Sequence, residues 1–141
     1  MTIQLHRGRL IDHLHLVVAD LEASRRFYKG VLAVLGIELG GEGKTHFWAD
    51  ELFVSTAASR HAQGQLTGRV HLAFQAPDRA AVDEFHRVGL ASGGRSNGAP
   101  GLRPYHPDYY AAFVLDPDGN NVEAVHHGPH ARSAPSVVIR F

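Results

Sequence analysis

Between residues 10 and 18 the chain alternates, with Ile11, His13, His15 and Val17 on one side and Leu10, Leu14, Leu16 and Val18 on the other, which is the period of a β-strand. The aliphatic side is expected to pack on a helix, so the histidine side must look into something polar. A helix is predicted directly downstream. Asp20 suits its N-cap, Leu21, Phe27, Tyr28, Val31 and Leu32 make its apolar side, and Gly36 ends it. Residues 40–43 read as a turn, and residues 45–49 and 52–56 as a hairpin around Asp50-Glu51. A second strand, residues 69–76, directs Val70, Leu72, Phe74 and Ala76 to a helix and His71, Ala73 and Gln75 away from it. Pro77-Asp78 opens the second helix, which carries Ala81, Val82, Phe85 and Val88. Residues 93–101 are Gly-rich and read as a loop suited to a mobile lid. Residues 109–115 and 121–125 form a hairpin about Asp116-Pro117-Asp118-Gly119-Asn120, a strong turn signal. Residues 1–8 are a polar lead, and residues 137–141 have strand propensity that neither half needs.

The two halves are copies. At an offset of 58 residues, His13, Leu14, Asp20, Ala23, Phe27 and Gly36 fall on His71, Leu72, Asp78, Ala81, Phe85 and Gly94. An internal repeat fixes architecture, and two copies are too few for a solenoid. The expectation is an α+β, pseudo-symmetric single domain over residues 1–141: module one about 9–57, a linker at 58–68 rich in Ser, Gln, Gly and Thr, module two about 69–127, and a tail at 128–141. Each half reads as strand, helix, then two or three strands.

Composition narrows the chemistry. A chain of 141 residues, 44% hydrophobic, is enough for one ordinary core. Fourteen basic and fourteen acidic residues balance to zero, so no nucleic-acid partner is expected. No apolar run approaches the roughly 20 residues of a membrane span, and no signal-like start is read, so a cytoplasmic protein without a membrane partner is expected. Cysteine is absent, which excludes disulfides, thiolate nucleophiles and Cys-based zinc sites. Metal chemistry must therefore come from the eleven histidines and the carboxylates.

His13, His71 and Glu123 all fall on the strand face opposite their aliphatic neighbours, with Val122 and Ala124 flanking Glu123. Alone, each histidine reads as an ordinary hydrogen-bonded side chain and Glu123 as a solvated edge-strand carboxylate. Together, two at repeat-equivalent positions and all in phase, they read as ligands for a divalent ion: Fe, Mn, Zn or Ni. Three protein ligands leave positions open for water and substrate. His15 shares the His13 face and is a candidate support or substrate contact. Strand parity puts Tyr109 on the Glu123 side and Tyr110 on the other; Tyr109 and His106 are candidate catalytic proton donors or acceptors, against the plainer reading of a proline-stiffened loop with aromatic packing. Arg103 is a candidate for neutralising an anionic substrate, against the plainer reading of an exposed arginine; Trp48 reads as hairpin packing.

The motifs Asp12-His13-x5-Ala19-Asp20-Leu21-x5-Phe27-Tyr28, Val70-His71-Leu72-Ala73-Phe74 and Asp116-Pro117-Asp118-Gly119-Asn120-x2-Glu123 resemble the vicinal oxygen chelate superfamily over about residues 9–127. That family includes glyoxalase I, bleomycin-resistance proteins, fosfomycin-modifying enzymes and extradiol dioxygenases. The resemblance implies two βαβββ modules forming a cupped mixed sheet, with the metal in the cup chelating adjacent oxygens of a small-molecule substrate. It also implies a homodimer, in which His13 comes from one subunit and His71 with Glu123 from the other. The departures are specific. Ser55, or Phe53 on the same face, stands where glyoxalase I has a fourth ligand, and Glu51, the nearest acid, lies in a turn. Phe113 stands where an extradiol dioxygenase has Tyr, and Phe113 with Ala111 removes polar groups that a fosfomycin transferase uses. The expected function is a metal-dependent lyase, isomerase or oxygenase acting on a small molecule. The alternative is a non-catalytic drug-binding protein like those of bleomycin resistance.

Overall fold

The computed structural model describes residues 3–141. The described residues form two helices and ten strands: β1 (Gln4–Arg7), β2 (Leu14–Val18), α1 (Leu21–Val34), β3 (Gly41–Glu42), β4 (His46–Ala49), β5 (Leu52–Thr56), β6 (His71–Gln75), α2 (Arg79–Ala91), β7 (Arg95–Leu102), β8 (Tyr110–Leu115), β9 (Asn121–His126) and β10 (Val137–Arg140). Strand order is β2-β5-β4-β3 in one sheet and β6-β9-β8-β7 in the other. In both, the first strand of the module runs parallel to its last and the other pairs are antiparallel. The α+β class and the duplicated βαβββ module thus appear as expected.

By packing, the chain divides into two compact units. One holds residues 3–21, Glu38–Thr67 and Ala131–Phe141; the other holds Glu22–Ile37 and Gly68–His130. In the first, the sheet buries Leu16, Val18, Phe47, Ala49, Leu52 and Val54 on one face. In the second, Val82 and Phe85 of α2 and Val114, Val122 and Ala124 of the sheet are fully buried. The Asp78 side chain caps α2 by accepting from the Ala81 N–H at 2.7 Å. The second unit also buries Phe27, Tyr28 and Val31 of α1. There, Gly94 lies close against α1 and β8, since a Cβ on it would lie 2.5 Å from Val114 and 2.7 Å from the Phe27 ring.

Three expectations change. Residues 4–7, read as a polar lead, form β1 and pair antiparallel with β10, Gln4 opposite Arg140 and Arg7 opposite Val137. The tail strand therefore has its partner at the opposite end of the chain. The Gly-rich stretch read as a loop is β7, an edge strand whose register shifts twice, between Ser96 and Gly98 and between Gly98 and Gly101. Gly and Pro are tolerated there because an edge strand with bulges needs only one complete ladder. Finally, the first module strand begins at Leu14; Leu10 and Ile11, 90% and 50% exposed, precede it.

The turn between β8 and β9 is built around the buried carboxylate of Asp116. One oxygen accepts from the backbone N–H groups of Asp118 (2.9 Å) and Asn120 (2.8 Å). The other accepts from the Asn120 side chain (2.9 Å) and from the Tyr28 hydroxyl of α1 (2.5 Å). Burial, then the charge of Asp116, pushes the Tyr28 phenol far above its ordinary range, so it remains a donor. Asn120 also accepts from Val70 N at 2.9 Å, and Asn121 N donates to Val70 O at 3.0 Å, so the turn sets the register of β6. Removing one donor from a buried charged acceptor costs about 1–3 kcal/mol. Tyr28→Phe is therefore expected to lower the unfolding free energy by roughly that amount in urea titration; a loss within error would contradict this account.

Candidate metal centre

In the second unit, Glu123 projects from β9 and is 2% exposed. On the adjacent parallel strand, His71 lies opposite Asn121 and Ala73 lies opposite Glu123. His71 and Glu123 are thus diagonal neighbours on one face. The Nε2 of His71 lies 2.7 Å from one carboxylate oxygen, and the Tyr109 hydroxyl donates to the other. Phe113 is opposite Glu123 on β8 and sets its ring 5.9 Å from that of His71. Burial, then the hydrogen bond to Glu123 and its charge, pushes the Tyr109 phenol well above its usual range. Tyr109 thus holds its proton.

A buried carboxylate normally needs a cation. Among the described residues Glu123 has no lysine or arginine partner, only His71 and Tyr109. An imidazole nitrogen and a carboxylate oxygen at 2.7 Å suit a divalent ion, since one bonded to both at about 2.0–2.2 Å needs them less than about 1 Å further apart. His71 and Glu123 fit two ligand positions. Among the described residues, no group of three such side chains is formed within the chain.

His13 belongs to the first unit, directly before β2. Its Nδ1 donates to Asp12 Oδ1 at 2.7 Å. That bond, ahead of the charge of Arg7, holds the Asp12 carboxyl below its usual range. On the same sheet His15 Nε2 reaches Ser55 Oγ at 2.7 Å. Ser55 gives its own proton to Thr56 O at 3.0 Å, so His15 is the donor. Burial, then the neighbouring imidazoles of His61 and His13, lowers the His15 pKa. The register corrects one assignment. His15 opposite Phe53 matches Ala73 opposite Glu123, so Phe53 and not Ser55 occupies the Glu123-equivalent position. Phe53 stacks on His46 at 5.5 Å and meets His15 edge-on at 5.1 Å. A cavity of about 240 Å³ is lined by Arg7, His13, Trp48, Asp50 and Phe53, so Trp48 forms a wall of it.

His106 is not free to act alone. Its Nδ1 donates to Pro107 O at 2.7 Å, and its Nε2 accepts from His127 Nδ1 at 2.9 Å. Tyr109 meets both rings edge-on, at 5.2 and 5.4 Å. Tyr110 points the other way, donating to Asp83 of α2 at 2.6 Å. Arg103 covers the Phe113 ring at 5.1 Å. A larger cavity, about 540 Å³, is lined by Pro77, Arg79, His126, Gly128, Pro129 and His130 and touches none of the expected site residues. Sequence reasoning assigned nothing to Arg7, Asp12 or His127. Adjacency to His13 and the run His126-His127-x2-His130 were the available signals.

Duplicated βαβββ modules, with a buried strand carboxylate beside a strand histidine, define a class, and comparison with known proteins agrees. The chain belongs to the Glyoxalase/Bleomycin resistance protein/Dioxygenase superfamily, whose model matches residues 10–124. It is 31% identical over 128 residues to the uncharacterized protein YqjT of Bacillus subtilis (strain 168), covering 82% of this chain and 97% of that one. A glyoxalase/bleomycin resistance protein of Albidiferax ferrireducens T118 is 32% identical, with a TM-score of 0.70 over 83% of this chain and 98% of that one. A lactoylglutathione lyase of Agrobacterium tumefaciens, 22% identical, shares the fold with a TM-score of 0.61 over 84% of this chain and 93% of that one.

The histidine cluster generates a pH prediction. Burial, then the charges of His106, His130 and His126, lowers the His127 pKa. A histidine lowered in the fold stays neutral while the unfolded chain takes up a proton near pH 6.5, so stability falls as pH drops below about 6.5. The loss stops once pH passes below the folded value. His127→Gln is expected to flatten that fall between pH 7.5 and 5.5 in thermal unfolding; an unchanged slope would contradict the assignment.

Proposed function

We propose that the chain is a metal-dependent enzyme acting on a small molecule with two adjacent oxygen donors. Its ligands are His71 and Glu123 of one subunit and His13 of the other subunit of a homodimer. The observation that carries this reading is Glu123: a carboxylate 2% exposed, bonded to an imidazole and a phenol, with no permanent cation beside it among the described residues. A divalent ion held there, Fe, Mn, Zn or Ni, supplies Lewis acidity to neighbouring substrate oxygens. Tyr109 keeps its proton and orients Glu123, so it acts as a donor and not as a base. His106 has its Nδ1 proton fixed on a backbone carbonyl, so Nε2, now held by His127, is the atom that accepts a proton.

Phe53 at the Glu123-equivalent position supplies no fourth ligand and no carboxylate base. That favours lyase, isomerase or oxygenase chemistry at an open three-ligand site over the proton shuttle of glyoxalase I. One observation supports the drug-binding alternative: Trp48 and Phe53 wall a cavity of about 240 Å³.

Elemental analysis after reconstitution with each ion is expected to give about one metal per subunit, lost in His13→Ala, His71→Ala and Glu123→Gln. Tyr109→Phe, which touches the ligand and not the ion, is expected to weaken affinity about 10- to 100-fold. Light scattering at micromolar concentration is expected to show a dimer, and a catechol panel to be turned over ahead of the methylglyoxal–glutathione adduct. Metal-free protein whose Trp48 fluorescence is quenched by an apolar ligand would favour the binding reading instead.

A further inference from the structure

The ribbon of β1 and β10 lies outside residues 10–124, the part of the chain that the family model matches. At its end it carries Arg7. The side chain of Arg7 is 14% exposed. Its Nη1 donates to His6 O at 3.0 Å and to Asp50 O at 2.9 Å, which fixes the guanidinium against the β4–β5 turn. Its Nε is shielded from water, has no hydrogen-bond partner, and lies 3.3 Å from Asp12 Oδ1. That same oxygen accepts from His13 Nδ1 at 2.7 Å.

Asp12 is 63% exposed and His13 is 65% exposed. Alone, an exposed pair of neighbours in sequence holds no fixed geometry, because water competes for every lone pair and the side chains keep their rotamer freedom. Arg7 changes that. It is anchored at two carbonyls, and its shielded Nε has Asp12 as its ion-pair partner at 3.3 Å, so a departure of Asp12 would take the facing carboxylate away from a cation that cannot follow it. We infer that Arg7 is a positioning residue: through Asp12 it holds the proton of His13 on Nδ1, which leaves Nε2 as the free ligand atom. A carboxylate behind a histidine fixes the tautomer and ring orientation of metal ligands generally, and here a cation delivered by the added ribbon holds the carboxylate. This rests on the proposed role of His13, yet its core is a statement about the metal-free chain.

The test therefore begins without metal. Long-range proton–nitrogen NMR of protein labelled in its histidine rings is expected to show His13 as the Nδ1–H tautomer in the unaltered protein. In Arg7→Ala it is expected as a mixture with the Nε2–H form. Arg7→Lys, which keeps the charge, is expected to restore most of the Nδ1–H form. Arg7→Met keeps the packed stem and replaces Arg7→Ala if the latter does not fold. A His13 that remains fully Nδ1–H in a folded variant without the Arg7 charge overturns the inference. The second measurement is Co(II) titration, in which Arg7→Ala is expected to raise Kd about tenfold, with Arg7→Lys recovering most of it. Failure of the unaltered protein to bind Co(II) would sink the metal reading, and the tautomer result would still decide the role of Arg7.

Discussion

The Asp116 carboxylate, buried where β8 turns into β9, accepts four hydrogen bonds: two from the turn's own backbone, one from the side chain of Asn120 and one from Tyr28. Because Asn120 also accepts from Val70 N, the same network fixes where β6 begins beside β9. A slip of one residue would turn His71 to the opposite face of the sheet, since side chains alternate with period two. The meeting of His71 with Glu123 at 2.7 Å thus depends on a turn that contains neither residue. Burial makes the constraint stiff. A charged acceptor away from water loses heavily when any one donor leaves, so the turn and α1 hold each other in place.

Glu123 is the second buried carboxylate, and its situation is opposite. Asp116 is saturated by donors from backbone, amide and phenol, all neutral and all structural. Glu123 has one phenol whose proton is firmly held and one imidazole, a side chain that is itself a metal ligand when neutral. A carboxylate of the first kind is finished as folded. One of the second kind keeps an oxygen and a neighbouring nitrogen whose shared proton a cation can replace. The two modules carry different residues at this topological position: Glu123 in one, Phe53 in the other. The first makes a polar site, the second an aromatic wall with His46 and His15.

Membership of a superfamily that spans glyoxalases, bleomycin-resistance proteins and dioxygenases fixes the scaffold and leaves the reaction to side chains on it. Some of those side chains lie near the ends of the chain. The β1–β10 ribbon sits outside the family match and brings Arg7 beside Asp12 and His13. The run around His127 engages His106 through a ring-to-ring hydrogen bond.

Local pattern was enough for much of this. Alternation in residues 14–18 and 71–75, the helical apolar sides and the Asp-Pro-Asp-Gly-Asn turn are set by neighbours a few residues apart, and their periods announce strands, helices and a hairpin directly. The repeat added the duplicated module, and strand parity put His71, Glu123 and Tyr109 on a common face, where they meet. Tertiary structure decided the rest, because it turns on pairing between distant segments. Residues 4–7 carry no strand signal strong enough alone; they are a strand because residues 137–140 complete their ladder. The Gly-rich residues 95–102 become an edge strand because β8 supplies the hydrogen bonds that their own composition does not favour. Whether Ser55 or Phe53 matches Glu123 depends on the offset between two parallel strands, which no single-strand period contains.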